Sequence, residues 1–113
     1  GLGELPTSGA DVIVGTTGSD AIDAQGGNDI VCALGGDDTI TLGPGDDDVL
    51  GGGGGDTVNG EGGADELFGQ GGVDRLVGGS GGDRLVGGAG VDSCAGGTGR
   101  DTATTCEQVS GVP

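Results

Sequence analysis

The 113-residue sequence has no His, no Lys and no Met, one aromatic residue (Phe68) and only three Pro. Without His or Lys, imidazole acid–base catalysis and a P-loop lysine are both excluded. The three Cys form no CxxC pair, and zinc would lack nitrogen ligands. Leu, Ile, Val and Phe together number 24, near the floor for a conventional packed core. No apolar run approaches the length of a membrane span or a signal peptide, so membrane insertion is not expected. Positive charge is also scarce: three Arg face 19 acidic residues, a formal net charge of −16. A polyanion cannot displace the counterions of nucleic acid, so cations are the natural complement. The missing Met suggests a chain cleaved from a secreted precursor, or else an excised fragment.

What is abundant is Gly, 33 residues of it, and with so little Pro this is not collagen. An acidic, Gly-rich composition alone reads as a solvated, disordered segment. The periodicity overrides that reading. Gly recurs at every ninth position from Gly9 to Gly99, and two residues after each comes an Asp, from Asp11 to Asp101, eleven times in succession. Two residues further on stands a small or aliphatic residue: Ile13, Ile22, Val31, Ile40, Val49, Val58, Leu67, Leu76, Leu85, Cys94 and Ala103. The units run unbroken from Pro6 to Thr104, within the single domain that the length allows.

GGGGGDTVN at Gly51 to Asn59 and GGSGGDRLV at Gly78 to Val86 closely resemble the GGxGxDxUx nonapeptide of RTX, or hemolysin-type, calcium-binding repeats. The resemblance covers residues 6–104 and extends to small secreted bacterial calcium-binding proteins that carry such repeats. It implies an all-β fold, a right-handed parallel β-roll (a β-solenoid) of eleven nonapeptide half-coils with Ca²⁺ between successive turns. Six residues of each unit would form a Gly-rich turn and three a short strand, so residues 18 apart would stack. Residues 1–5 are expected to be a short N-terminal cap, residues 6–104 the roll and residues 105–113 a C-terminal cap. Some early units depart from the pattern: Gly15, Thr16 and Thr17 open one, Leu42, Gly43 and Pro44 another, and weaker metal binding is expected there.

Stacking at 18 residues places Asp11, Asp29, Asp47, Asp65, Asp83 and Asp101 along one edge, and Asp20, Asp38, Asp56, Asp74 and Asp92 along the other. At a strand spacing of about 4.8 Å, neighbouring carboxylates repel by about 1 to 4 kcal/mol, depending on the local dielectric. A hard dication held by carboxylates and main-chain carbonyls relieves this, and Ca²⁺ gives up its water more readily than Mg²⁺. One ion per gap allows up to about nine, so metal binding and folding would be a single event. Asp37, Asp46 and Asp48 sit beside the ladder positions, either as solvated turn charges or as added ligands.

Three Cys in such a chain suggest an oxidising compartment, with Cys94 and Cys106 as the intramolecular disulfide and two buried free thiols as the alternative. Cys32 is then left over. The last residue of each strand should face outward, and on one face these are Val14, Cys32, Leu50, Phe68 and Val86, an apolar ladder. The other face reads Asp23, Thr41, Asn59, Val77 and Ala95. The apolar ladder is an expected interface, with another copy or a further component, unless its members are scattered surface residues. A thin roll offers little concavity for an active site, so no enzyme is expected. The resulting expectation is a secreted, extracellular bacterial calcium-binding protein with a structural or assembly role, self-associating through the apolar face or stacking end to end into fibres. The alternative is a calcium-triggered folding or secretion module of a larger secreted enzyme.

Overall fold

The computed structural model describes residues 9–111, so the expected N-terminal cap at residues 1–5 lies outside the described residues. Every regular element among them is a strand: β1 (Val12–Val14), β2 (Ala21–Asp23), β3 (Ile30–Cys32), β4 (Thr39–Thr41), β5 (Asp48–Leu50), β6 (Thr57–Asn59), β7 (Glu66–Gln70), β8 (Arg75–Val77), β9 (Arg84–Gly88), β10 (Ser93–Ala95), β11 (Thr102–Thr104) and β12 (Gln108–Ser110). Odd-numbered strands form one parallel six-stranded sheet and even-numbered strands the other. The expected β-roll is therefore what the chain forms. No helix among the described residues is long and apolar enough to cross a membrane.

The register follows directly from the repeat. Val12, Ile13 and Val14 pair with Ile30, Val31 and Cys32, and the same 18-residue offset continues along both sheets. The three-residue strands from β1 to β10 bury their middle residue and turn the outer two away, as the pleat requires, whereas Ala103 of β11 is half-buried and Val109 of β12 is exposed. The shortest dimension of the roll is 13 Å, so a single layer of facing side chains fills its interior. Turns close through left-handed residues. Gly63, for example, has φ +94°, and a side chain there would run into the main-chain oxygen of Gly45 in the coil before. Two residues earlier in the unit the left-handed position tolerates a side chain: Gln25, Leu34, Glu61 and Gln70 occupy it at φ 67 to 72°.

Two features differ from expectation. The interior is not one residue per strand: Ala24, Ala33 and Leu42, which open their units, are fully buried and join the core beside the strand residues. The number of half-coils also rises, because the tail supplies a twelfth strand. β12 pairs with β10 at an offset of 15 residues, Cys94 opposite Val109, so the last coil is three residues shorter than the others. Cys94 and Cys106 are disulfide-bonded, with Cα atoms 6.0 Å apart, which holds this shortened coil against the sheet. Cys32 is a free thiol, half-buried on the outer face.

Candidate metal centre

Each ladder Asp precedes a strand, and the stacking brings its side chain beside the main chain of the coil before it. Asp29 Oδ1 accepts the N–H of Asp11 at 2.8 Å, Asp47 that of Asp29 at 2.7 Å, Asp65 that of Asp47 at 2.9 Å, and the pattern continues through Asp83 to Asp101. On the other edge Asp38, Asp56, Asp74 and Asp92 likewise accept from the Asp 18 residues earlier. The two predicted ladders are thus assembled. The second has one further member that periodicity could not reveal: Glu107 Oε1 accepts the N–H of Asp92 at 2.9 Å, the place an eighteenth residue would otherwise take. Dropping three residues from the last coil moves a carboxylate out of phase, and the longer Glu side chain restores the contact.

One oxygen of each carboxylate is used in this way and the other is not. Oδ2 of Asp29, Asp38, Asp47, Asp56, Asp65, Asp74, Asp83, Asp92 and Asp101 is buried with no hydrogen-bond partner. A buried, unpaired carboxylate oxygen costs several kcal/mol in a settled native structure, so stacked carboxylates of this kind call for cation partners along the ladders. Burial, reinforced by the neighbouring carboxylates, pushes the Asp56 and Asp65 carboxyls up to about 7 against the opposing pull of their backbone hydrogen bonds. Burial likewise raises Asp47, Asp74 and Asp83 to about 6, and raises Asp29. A bound cation would reverse these shifts by favouring the charged form.

The first members differ. Asp20 takes its place through its N–H, but its carboxylate is turned to Thr16, whose N–H and hydroxyl both donate to it at 2.7 Å. These bonds lower its pKa and leave it without an orphaned oxygen. Asp11 is half-buried and is likewise not among the orphaned set. Of the flanking acids, Asp37 and Asp46 are exposed and each accepts a main-chain N–H one coil on, from Gly55 and Ala64 at 2.8 Å. Asp48 is not a turn residue at all: it opens β5 and points outward, opposite Glu66.

Main-chain oxygens converge on the orphaned ones. A β-carbon added to Gly60 would lie 2.5 Å from Asp65 Oδ2 and 2.7 Å from the oxygen of Gly78 in the next coil. Gly15, Gly51, Gly69, Gly78, Gly87 and Gly96 stand in the same relation to the Asp five residues on, each with a main-chain oxygen of the following coil. Among the described residues no three acidic side chains gather at one point. A cation here would therefore draw on few carboxylates and complete its shell with carbonyls, an all-oxygen set that suits Ca²⁺.

Comparison with curated proteins and with solved structures gave no match. The repeat itself is matched: residues 6–40, 41–76 and 68–103 fit the RTX calcium-binding nonapeptide repeat, a span that includes every Asp of both ladders. With the parallel coils and the buried carboxylates in register, this chain belongs to the RTX calcium-binding repeat family.

Proposed function

We propose that this chain is a secreted calcium-binding protein with a structural or assembly role, whose roll forms as it takes up Ca²⁺ through the two Asp ladders. The observation that carries this reading is the set of nine buried carboxylates, each with one oxygen bonded to the preceding coil and one without a partner. Metal-free, these stacked charges oppose folding; metal-bound, they hold successive coils together. The Cys94–Cys106 disulfide supports an oxidising, extracellular setting. Circular dichroism during a calcium titration followed by chelation tests the coupling. Strand signal should rise with calcium and fall with the chelator; a strand signal indifferent to both would sink it.

Assembly is the second element of the proposal. Val14, Cys32, Leu50, Phe68 and Val86 pair in register along the outer face of the odd-strand sheet, and Val12 and Ile30 widen the apolar strip at its N-terminal end. The opposite sheet shows Asp23, Thr41 and Asn59 in the corresponding column. A continuous apolar strip on one face only is what a packing surface for a second copy looks like. End-to-end stacking through the edge strands β11 and β12 would extend such an assembly into a fibre. Sedimentation in calcium should show association that Phe68→Asp abolishes, and a monomer indifferent to that substitution would remove this element.

A further inference from the structure

The nine orphaned carboxylates are not equivalent, because the residue opening each unit differs. In the six units that begin with Gly51, Gly60, Gly69, Gly78, Gly87 and Gly96, nothing but a hydrogen stands over the α-carbon, where the Asp Oδ2 and a main-chain oxygen of the next coil approach each other; Gly15 opens a seventh such unit, but the Asp20 Oδ2 it faces already accepts the Thr16 N–H. In the units ahead of Asp29, Asp38 and Asp47 that same place is taken by Ala24, Ala33 and Leu42, all fully buried. A real β-carbon does not come within 3.0 Å of such atoms, whereas the two oxygens around Gly60 lie 2.5 and 2.7 Å from that point. A side chain there must therefore spread the oxygens apart and put hydrocarbon between them. Ca²⁺ needs its oxygens at about 2.3–2.6 Å and cannot share a cradle with a methyl or isobutyl group.

A second difference runs the same way. Ahead of the ladder Asp, the early units carry polar turn residues that grip the following coil: Ser19 accepts the Asp37 N–H, Asn28 that of Asp46, Asp37 that of Gly55 and Asp46 that of Ala64. From the sixth unit on, these positions are Gly55, Ala64, Val73, Gly82, Val91 and Arg100, and the outer set of side-chain bonds ends. The early coils thus have both an apolar fill and a hydrogen-bonded outer rail. The later coils keep the buried strand residues Val58, Leu67, Leu76 and Leu85 but have neither a side chain at the opening position nor that outer rail.

We propose that calcium is confined to the C-terminal part of the roll, in six cradles at Asp56, Asp65, Asp74, Asp83, Asp92 and Asp101, and that Ala24, Ala33 and Leu42 are plugs that replace the ion in the three cradles before them. The inference rests on the calcium reading above and adds which coils take the ion. The number of bound ions, from native mass spectrometry and equilibrium dialysis of the disulfide-bonded protein, tests it. The wild-type chain should saturate at about six ions rather than nine, Ala24→Gly/Ala33→Gly/Leu42→Gly should gain up to about three, and Gly60→Ala should lose about one. Saturation at nine, or Gly60→Ala keeping the wild-type count, overturns the assignment. Should the triple variant not fold, the single variant Ala33→Gly with its one added ion makes the same test. A chain that binds no calcium at all overturns the calcium reading itself, which separates the two failures.

Discussion

The two ends of this roll solve one stacking problem by different means. Buried strand residues fill the interior from Ile13 to Cys94, but through Leu50 the coils add a second apolar set, Ala24, Ala33 and Leu42, and side-chain hydrogen bonds in which Asn28 and Asp46 tie turn to turn. From Gly51 onward the opening residue is Gly, the turn side chains no longer bond forward, and the carboxylate cradles are open. A disulfide closes that end. A repeat can thus keep its backbone path while exchanging what binds coil to coil, because the path depends on the recurring left-handed turn and the 18-residue register rather than on the filler.

Chelation should separate the two halves of the roll most strongly. In calcium-free buffer, amide exchange protection should collapse from β6 onward and persist longest in β1 to β5; equal loss throughout would show that the halves do not differ. Acid should partly replace the metal. Carboxyls whose folded pKa is raised above the ordinary value of 3.8 contribute stability that is complete below that value and is lost as pH rises through the folded pKa. With chelator present, lowering the pH from about 8 to about 5 should therefore restore strand signal, chiefly through Asp56 and Asp65, pushed up to about 7, and Asp74 and Asp83, at about 6. No gain on acidification would show that carboxylate repulsion is not what opposes the metal-free roll. The smallest expected effect is the most local. Leu42→Ala should cost about 2–5 kcal/mol in a denaturant titration by leaving a cavity, and by the same amount with or without calcium. A calcium-dependent cost would place an ion in that coil.

Much of this was legible in the sequence because a strict period converts chain position directly into spatial position. The paired columns of Asp, the inward strand residues and the outward column from Val14 to Val86 all follow from stacking at 18 residues. Less legible was anything that broke the period or depended on which way the turn faces. Ala24, Ala33 and Leu42 stand where the repeat has Gly, and only the folded turn shows that this position points into the core. Their apolar character was the available signal. Glu107 lay out of phase because the last coil is short, and its position beside Cys106 was the one hint that it belonged to the ladder. Thr16 satisfying the Asp20 carboxylate was similarly hidden, since the contact spans a turn rather than a coil. On the outer face, Arg84 pairs with Glu66 at 3.3 Å and lies over the Phe68 ring at 5.7 Å, contacts set by register and side-chain reach together. The pair is solvent-exposed, so its contribution to stability is small.

The direction of the ladder bonds has a consequence for how the roll is completed. Every acceptor lies later in the chain than the amide it serves, by 18 residues for the Asp and by 15 for Glu107: Asp11 is served by Asp29, Asp29 by Asp47, Asp47 by Asp65. A polypeptide emerging N-terminus first therefore always trails an unfinished turn whose amide awaits a carboxylate still to come. Each coil is finished by its successor, and the whole series is unfinished until Glu107 arrives. Closure therefore follows synthesis one coil behind, and the Asp92 amide waits for Glu107.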